Sequence, residues 1–116
     1  MATYAVYSKG VLIGHSRLEY GDPPMGVAFG QFTPNEAYRE IQSECRTNHA
    51  DQSALELSVQ TESGVEISCV GVAILEDLVE NGQPYAEVNV LGITHPRYEE
   101  LFPDHVARYD RQFAKD

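Results

Sequence analysis

The sequence has no tryptophan, only two cysteines and few basic residues, since 8 lysines and arginines stand against 18 aspartates and glutamates. The formal net charge of −10 at pH 7 opposes approach to a phosphate backbone or an anionic membrane surface. The longest apolar runs, such as residues 70–75, are far shorter than the ~20 residues that cross a bilayer. We therefore expect no nucleic-acid partner and no membrane partner.

With 42% hydrophobic and 22% charged residues, the chain otherwise has the composition of an ordinary globular protein. Its length fits one domain with one core, which we place at residues 1–116. Cys45 and Cys69 lack CxxC spacing and any disulfide-dense pattern, so we interpret both as reduced core thiols. The first residues lack the basic and apolar regions of a secretory leader, which favours a cytoplasmic chain that is mature from its first residue.

Motifs that would carry catalysis, a metal or a cofactor are weak. The four histidines, His15, His49, His95 and His105, show none of the close spacing of zinc ligands. Ser16 follows His15, but neighbouring strand residues point to opposite faces, so the pair is badly placed for nucleophilic catalysis. GxSxG, SxxK and phosphate-loop patterns do not occur. We expect no catalytic residue, no metal site and no cofactor, and we favour a protein that is not an enzyme.

An N-terminal hairpin is predicted from two stretches rich in β-branched, aromatic and apolar residues, 3–8 and 11–19. They flank Lys9 and Gly10, and glycine supplies the positive φ that a tight turn requires. A two-residue turn here predicts three cross-strand pairs, which are Tyr7–Leu12, Val6–Ile13 and Tyr4–His15.

A later meander of four strands is predicted from further apolar alternation. The stretches that carry it are residues 55–60, 65–70, 71–79 and 85–93. Pairing Val59 with Val65 gathers the apolar side chains of the first two strands on one face. The Asn81-Gly82 pair is a strong turn signal between the last two strands.

The first helix is predicted to start at Thr33. Thr33 supplies an N-cap hydroxyl, Pro34 the first helical residue and Glu36 the acidic partner of a capping box. Helical spacing directs four residues toward the core, which are Ala37, Tyr38, Ile41 and Cys45. The same spacing places a carboxylate row on another face, formed by Glu36, Glu40 and Glu44. We expect the helix to end near Asn48.

Residues 21–32 are predicted to form a long connection, because Pro23 and Pro24 remove amide donors and glycines loosen the backbone. The connection is too apolar for a solvated linker, so it either closes the core or lines a groove. The groove alternative makes three residues ligand-binding candidates, which are Asp22, Met25 and Phe29. The simpler role for Asp22 is a turn-stabilising bond to the backbone that follows it.

The tail, residues 94–116, is predicted to be helical, with Pro96 opening a short turn and Pro103 a second helix. Its apolar stripe is formed by Phe102, Val106, Tyr109 and Phe113. The expected fold is α+β. It has an antiparallel sheet of about six strands, made of an N-terminal hairpin and a later meander, with one capped helix after strand two and a C-terminal helical segment packed on the sheet.

Three functions remain open. The leading hypothesis is a small, acidic, bacterial-type interaction module that binds a basic protein through Glu36, Glu40 and Glu44, by class analogy to immunity proteins and antitoxins. The second is a ligand-binding or enzymatic domain with a pocket under residues 21–32. The third is a structural subunit that self-associates, for example as a homodimer, through a sheet edge or the tail helix.

Overall fold

The computed structural model describes residues 2–48, 50–80 and 83–113, and at residues 77–80, 83, 84 and 113 it describes the backbone alone. The fold is α+β, as expected from the sequence. The strands are β1 (Tyr4–Ser8), β2 (Val11–Ser16), β3 (Tyr20–Asp22), β4 (Val27–Pro34), β5 (Leu57–Gln60), β6 (Gly71–Glu80) and β7 (Gln83–Leu91). The helices are α1 (Gln42–Thr47), α2 (Tyr98–Leu101) and α3 (Pro103–Phe113), and 3₁₀ turns lie at Pro23–Met25, Glu36–Glu40 and Ser53–Leu55.

All seven strands join one antiparallel sheet in the order β5-β1-β2-β4-β7-β6, and β3 pairs with β4 beside β2. The sheet curls, so that its outer strands β5 and β6 contact each other. Side chains on alternate positions of the longer strands point inward and form the core, which includes Val6, Ile13, Val59, Ile74, Val88 and Val90. Residues 36–47, which we call the helical segment, add Tyr38 and Cys45 to the core, and the tail adds Phe102.

The N-terminal hairpin forms, but its predicted register holds only next to the turn. Tyr7 lies opposite Leu12 as expected, whereas Val6 lies opposite Gly14 and Tyr4 opposite Ser16. The predicted pairs Val6–Ile13 and Tyr4–His15 are therefore wrong. The cause is a β-bulge that adds Ile13 to β2 as an extra residue.

The predicted long connection at residues 21–32 is wrong, because most of it is the central strand β4. Its Gly30 lies opposite Val88 and its Phe32 opposite Ala86, while the other edge of β4 pairs with β2 and β3. Pairing on both edges overrides the weak strand propensity of its glycines, since β propensity depends on context. The two prolines lie outside β4, in the 3₁₀ turn that precedes it.

The predicted helix start at Thr33 is also wrong. Thr33 pairs with His15 in the sheet, because the proline that follows it disfavours a helical backbone at that position. The N-cap is Asn35, whose side chain accepts a hydrogen bond from the amide of Ala37 at 2.9 Å. The helical segment is also not continuous, since a 3₁₀ turn ends at Glu40 and α1 begins beyond Ile41.

The meander is only partly present. Residues 65–70 form isolated bridges rather than a strand, and Gln60 pairs with Glu66 where Val59 was expected to pair with Val65. Val65 is consequently exposed, and Ile67 donates its amide hydrogen bond to the Val59 carbonyl. The later strands are confirmed as β6 and β7, and the turn predicted at Asn81-Gly82 lies outside the described residues.

The tail is helical as predicted, forming α2 and α3, and α3 packs against β3 and the 3₁₀ turn before β4. Phe102 is buried and Val106 and Tyr109 are half-buried, while the side chain of Phe113 lies outside the description. Within the described part of the chain, no helix has the length and apolar character needed to span a membrane.

Candidate functional site

A second bulge, at residues 17–19 between β2 and β3, interrupts the pairing of the sheet with β4. Ser16 pairs with Phe32 and Tyr20 pairs with Phe29. The three residues 17–19 therefore lie opposite only two residues of β4, Gly30 and Gln31. The extra residue is accommodated at Leu18, whose φ of 48° lies in the left-handed region that non-glycine residues seldom adopt. Bulges of this kind redirect side chains and are common beside functional sites.

Helix α3 holds the bulge through two of its side chains. Arg108 Nη2 donates to the carbonyl of Glu19 at 2.9 Å and to His105 Nδ1 at 2.5 Å. Because arginine only donates, His105 Nδ1 accepts, and the ring proton lies on Nε2, 2.7 Å from the carbonyl of Leu18. His105 therefore donates that hydrogen bond in its neutral form, while its ring stacks on Phe102 with centroids 4.9 Å apart.

The pKa of His105 is lowered by burial, and the neighbouring Arg108 charge lowers it further. The Leu18 carbonyl and the carboxylate of Asp104 act in the opposite direction. The balance favours the neutral imidazole that the hydrogen bonds require. The ring is buried, with His105 only 7% exposed.

Glu19 carries the unusual feature of the bulge. Its Oε1 atom is enclosed by protein and receives no hydrogen bond from any described group. The atom lies against the backbone of Gly30, where the Cβ of any larger residue would collide with it. Glycine at position 30 of a central strand thus makes room for the Glu19 carboxylate.

Two cavities adjoin the bulge, and Arg17 and Glu19 line both. The larger, which we call the bulge cleft, has a volume of about 410 Å³ and is lined by Thr3, His15, Ser16, Arg17, Glu19, Gln31 and Thr33. The smaller, of about 290 Å³, lies toward the tail and includes His105 and Arg108 in its lining. No ion pair joins Arg17 to Glu19, so the cleft presents a cation and an anion that do not neutralise each other by contact.

A second polar cluster surrounds Glu76, a buried carboxylate on the inner face of β6. Tyr38 donates to its Oε2 at 2.5 Å, while Gln42 and Arg46 donate to Oε1 at 3.0 and 2.6 Å. Burial tends to raise the pKa of Glu76, but the three donors outweigh it and lower the pKa. The pKa of Tyr38 is raised by burial and by its bond to this carboxylate. The cluster therefore joins the helical segment to β6.

The ligand-binding candidates from the sequence do not converge. Asp22 is exposed and caps no backbone amide with its side chain, and Met25 is 67% exposed in the turn before β4. Phe29 is half-buried and stacks on Tyr20 with centroids 5.5 Å apart. Phe29 lines a groove of about 260 Å³, which it shares with His105.

The partner-binding candidates Glu36, Glu40 and Glu44 are all exposed. They do not share one helix, however, because Glu36 and Glu40 bound the 3₁₀ turn and Glu44 belongs to α1. In a 3₁₀ helix, with three residues per turn, residues four apart do not stack on one face. The predicted i, i+4 row is therefore wrong as a geometry, although all three carboxylates remain at the surface.

Metal ligands do not assemble among the residues that the structure describes, where no group of three His, Cys, Asp or Glu side chains converges. Cys45 and Cys69 do not form a disulfide bond, and Cys45 is buried while Cys69 is half-buried. Burial raises the pKa of each thiol, which opposes formation of the reactive thiolate.

The chain matches no protein-family model, no curated protein and no solved structure.

Sequence reasoning missed Arg17, Glu19 and Arg108, because nothing in their local pattern marks them. Their importance comes from the bulge, which brings β2, β4 and α3 together. The available signal was Gly30, which stands inside an alternating apolar stretch. A glycine at such a position in a strand indicates the close approach of another group, here the Glu19 carboxylate.

Proposed function

We propose that the protein is a small interaction module that binds a basic protein partner, with Glu36, Glu40 and Glu44 among its contacts. The observation that carries this proposal is the charge of residues 36–66, which we call the acidic segment. It presents seven exposed carboxylates, those of Glu36, Glu40, Glu44, Asp51, Glu56, Glu62 and Glu66.

The positive charge available to the acidic segment is small. It contains two arginines, Arg39 and Arg46, and Arg46 pairs with the buried Glu76. Among the described residues, none of the seven exposed carboxylates forms an ion pair. A surface with this much uncompensated negative charge attracts basic proteins over a range set by the Debye length, about 8 Å at physiological salt.

The Glu76 cluster supports the proposal in a second way. It fixes the helical segment to β6 through a carboxylate with three donors, so the exposed carboxylates are carried on an anchored backbone. A pre-organised surface loses less conformational entropy on binding than a mobile one. The proposal assigns no catalytic residue, metal or cofactor.

The test is capture from a cell lysate by the immobilised protein and two charge-reversed variants. Glu40→Lys with Glu44→Lys changes the acidic segment, while Glu99→Lys with Glu100→Lys makes the same change of net charge in α2. We expect the wild type and the α2 variant to retain the same basic protein at low salt, to be identified by mass spectrometry. The acidic-segment variant should lose it.

Equal loss in both variants would show simple ion exchange and contradict the proposal, as would retention by both. Capture of nothing by any of the three proteins would also contradict it. Light scattering on the same samples tests the homodimer hypothesis. A stable dimer that buries the acidic segment would replace the basic partner by a second copy of the chain.

A further inference from the structure

One carboxylate oxygen of Glu19, Oε1, is enclosed by protein without a hydrogen-bond donor. Binding of a basic partner at the acidic segment does not account for this unpaired oxygen. A buried acceptor with no donor destabilises the folded state, and the cost is larger when the group carries charge. Proteins pair nearly all such groups, and the exceptions commonly mark functional positions. Glu19 Oε1 is the one described buried side-chain atom in this condition.

The position of this carboxylate is built into the fold. Gly30 leaves the space that the carboxylate occupies, Leu18 adopts a left-handed backbone beside it, and Arg108 binds the Glu19 carbonyl. Each feature costs stability or requires a particular residue. Together they hold a carboxylate at the wall of the bulge cleft in a fixed position.

The remaining lining of the bulge cleft suits an anionic group. Arg17 supplies a guanidinium and is exposed, and His15 lies directly opposite Thr33 across β2 and β4. Gln31 and Thr3 add neutral polar groups. Arginine is well suited to carboxylate recognition, because its planar guanidinium donates two parallel hydrogen bonds.

We infer that the bulge cleft binds a small zwitterion, with its carboxylate at Arg17 and its ammonium group at Oε2 of Glu19, because the enclosed Oε1 is out of reach of a ligand in the cleft. The cleft volume of about 410 Å³ lies within the usual range for small-ligand sites, about 300–1,000 Å³. The net charge of −10 disfavours a purely anionic ligand, so a compensating positive group is expected in the ligand. This site is separate from the acidic segment and does not depend on the proposed function.

A series of ω-amino acids from glycine to 6-aminohexanoate tests the inference, because it varies the distance between ammonium and carboxylate. Each compound is added at about 20 mM to the full chain, and binding is followed by amide chemical shifts at Gly30 and Arg17. Alkylamines and alkanoates of matched length are the controls. We expect one chain length to bind best, and each singly charged control to bind at least about tenfold more weakly.

Two substitutions test which residue binds the ammonium group and which binds the carboxylate of the ligand. Glu19→Gln should weaken the preferred zwitterion at least about tenfold, and the exposed Arg17→Gln should do the same while leaving the matched alkylamine unaffected. Glu87→Gln is the control, since it removes one carboxylate from the strand opposite Gln31 but outside the cleft lining. If Glu19→Gln does not fold, Arg17→Gln still decides the outcome.

Three results would overturn the inference. One is the absence of shifts with every member of the series. Another is equal binding of zwitterions and singly charged controls, and the third is an unchanged affinity in Arg17→Gln.

Discussion

At the scale of single residues, two side chains, those of Asn35 and Gln52, form hydrogen bonds with backbone groups that no neighbouring strand reaches. Asn35 accepts from the Ala37 amide and donates to the Leu12 carbonyl. Gln52 donates to the carbonyl of Ile74 and accepts from its amide, both at 2.7 Å, on the open edge of β6. Such hydrogen bonds occupy backbone groups of an edge strand that could otherwise pair with another chain.

The role of Asn35 gives a prediction at this scale. Asn35→Ala should lower the free energy of unfolding by about 1 kcal/mol, because it removes the N-cap and leaves the Ala37 amide without its acceptor. Thr33→Ala is the control, since Thr33 lies exposed in β4 and caps nothing. Chemical denaturation of both variants measures the difference. A larger loss in Thr33→Ala than in Asn35→Ala would contradict this role of Asn35.

At the scale of elements, the sequence correctly predicted the strands and helices that local residue patterns determine. Strands β6 and β7 and the tail helices follow from alternation, helical spacing and prolines at helix starts. Strand β4 was missed because its glycines resemble those of a loop, while its order comes from pairing on both edges. Residues 65–70 alternate between apolar and polar side chains as strongly as a strand does. In the structure, however, they pair only through isolated bridges.

The attachment of α3 to the sheet gives a pH prediction at this scale. Burial lowers the pKa of His105 in the folded state, so the unfolded chain binds the proton more readily. The neutral ring contributes its full stability above the unfolded pKa of about 6.5, and that stability is lost as pH falls from there toward the lower folded pKa. Protonation also places a cation beside Arg108 and removes an acceptor from it.

The variant for this test is His105→Gln, which keeps a donor toward the Leu18 carbonyl but does not titrate. Melting temperatures measured between about pH 7 and pH 5 should fall more steeply for the wild type than for His105→Gln. Parallel curves for the two proteins would show that protonation of His105 does not contribute to the pH dependence of the melting temperature.

At the scale of the whole molecule, charge was readable from the sequence and the bulge cleft was not. The net charge of −10 and the exposure of Glu36, Glu40 and Glu44 needed only composition and pattern. The cleft needed two bulges and the meeting of β2, β4 and α3, which are long-range outcomes of pairing. Sequence patterns report local preference, and these contacts join residues far apart in the chain.

The proposed role of the acidic segment is to guide a basic partner to the protein. Its most direct test is the association rate constant with the captured partner, measured by stopped-flow at about 30 mM and about 300 mM salt. Electrostatic steering predicts a fall of at least about tenfold in the wild type and in Glu99→Lys with Glu100→Lys. It predicts a much smaller fall in Glu40→Lys with Glu44→Lys. A rate constant that does not change with salt in the wild type, or that changes equally in all three proteins, would contradict the claim.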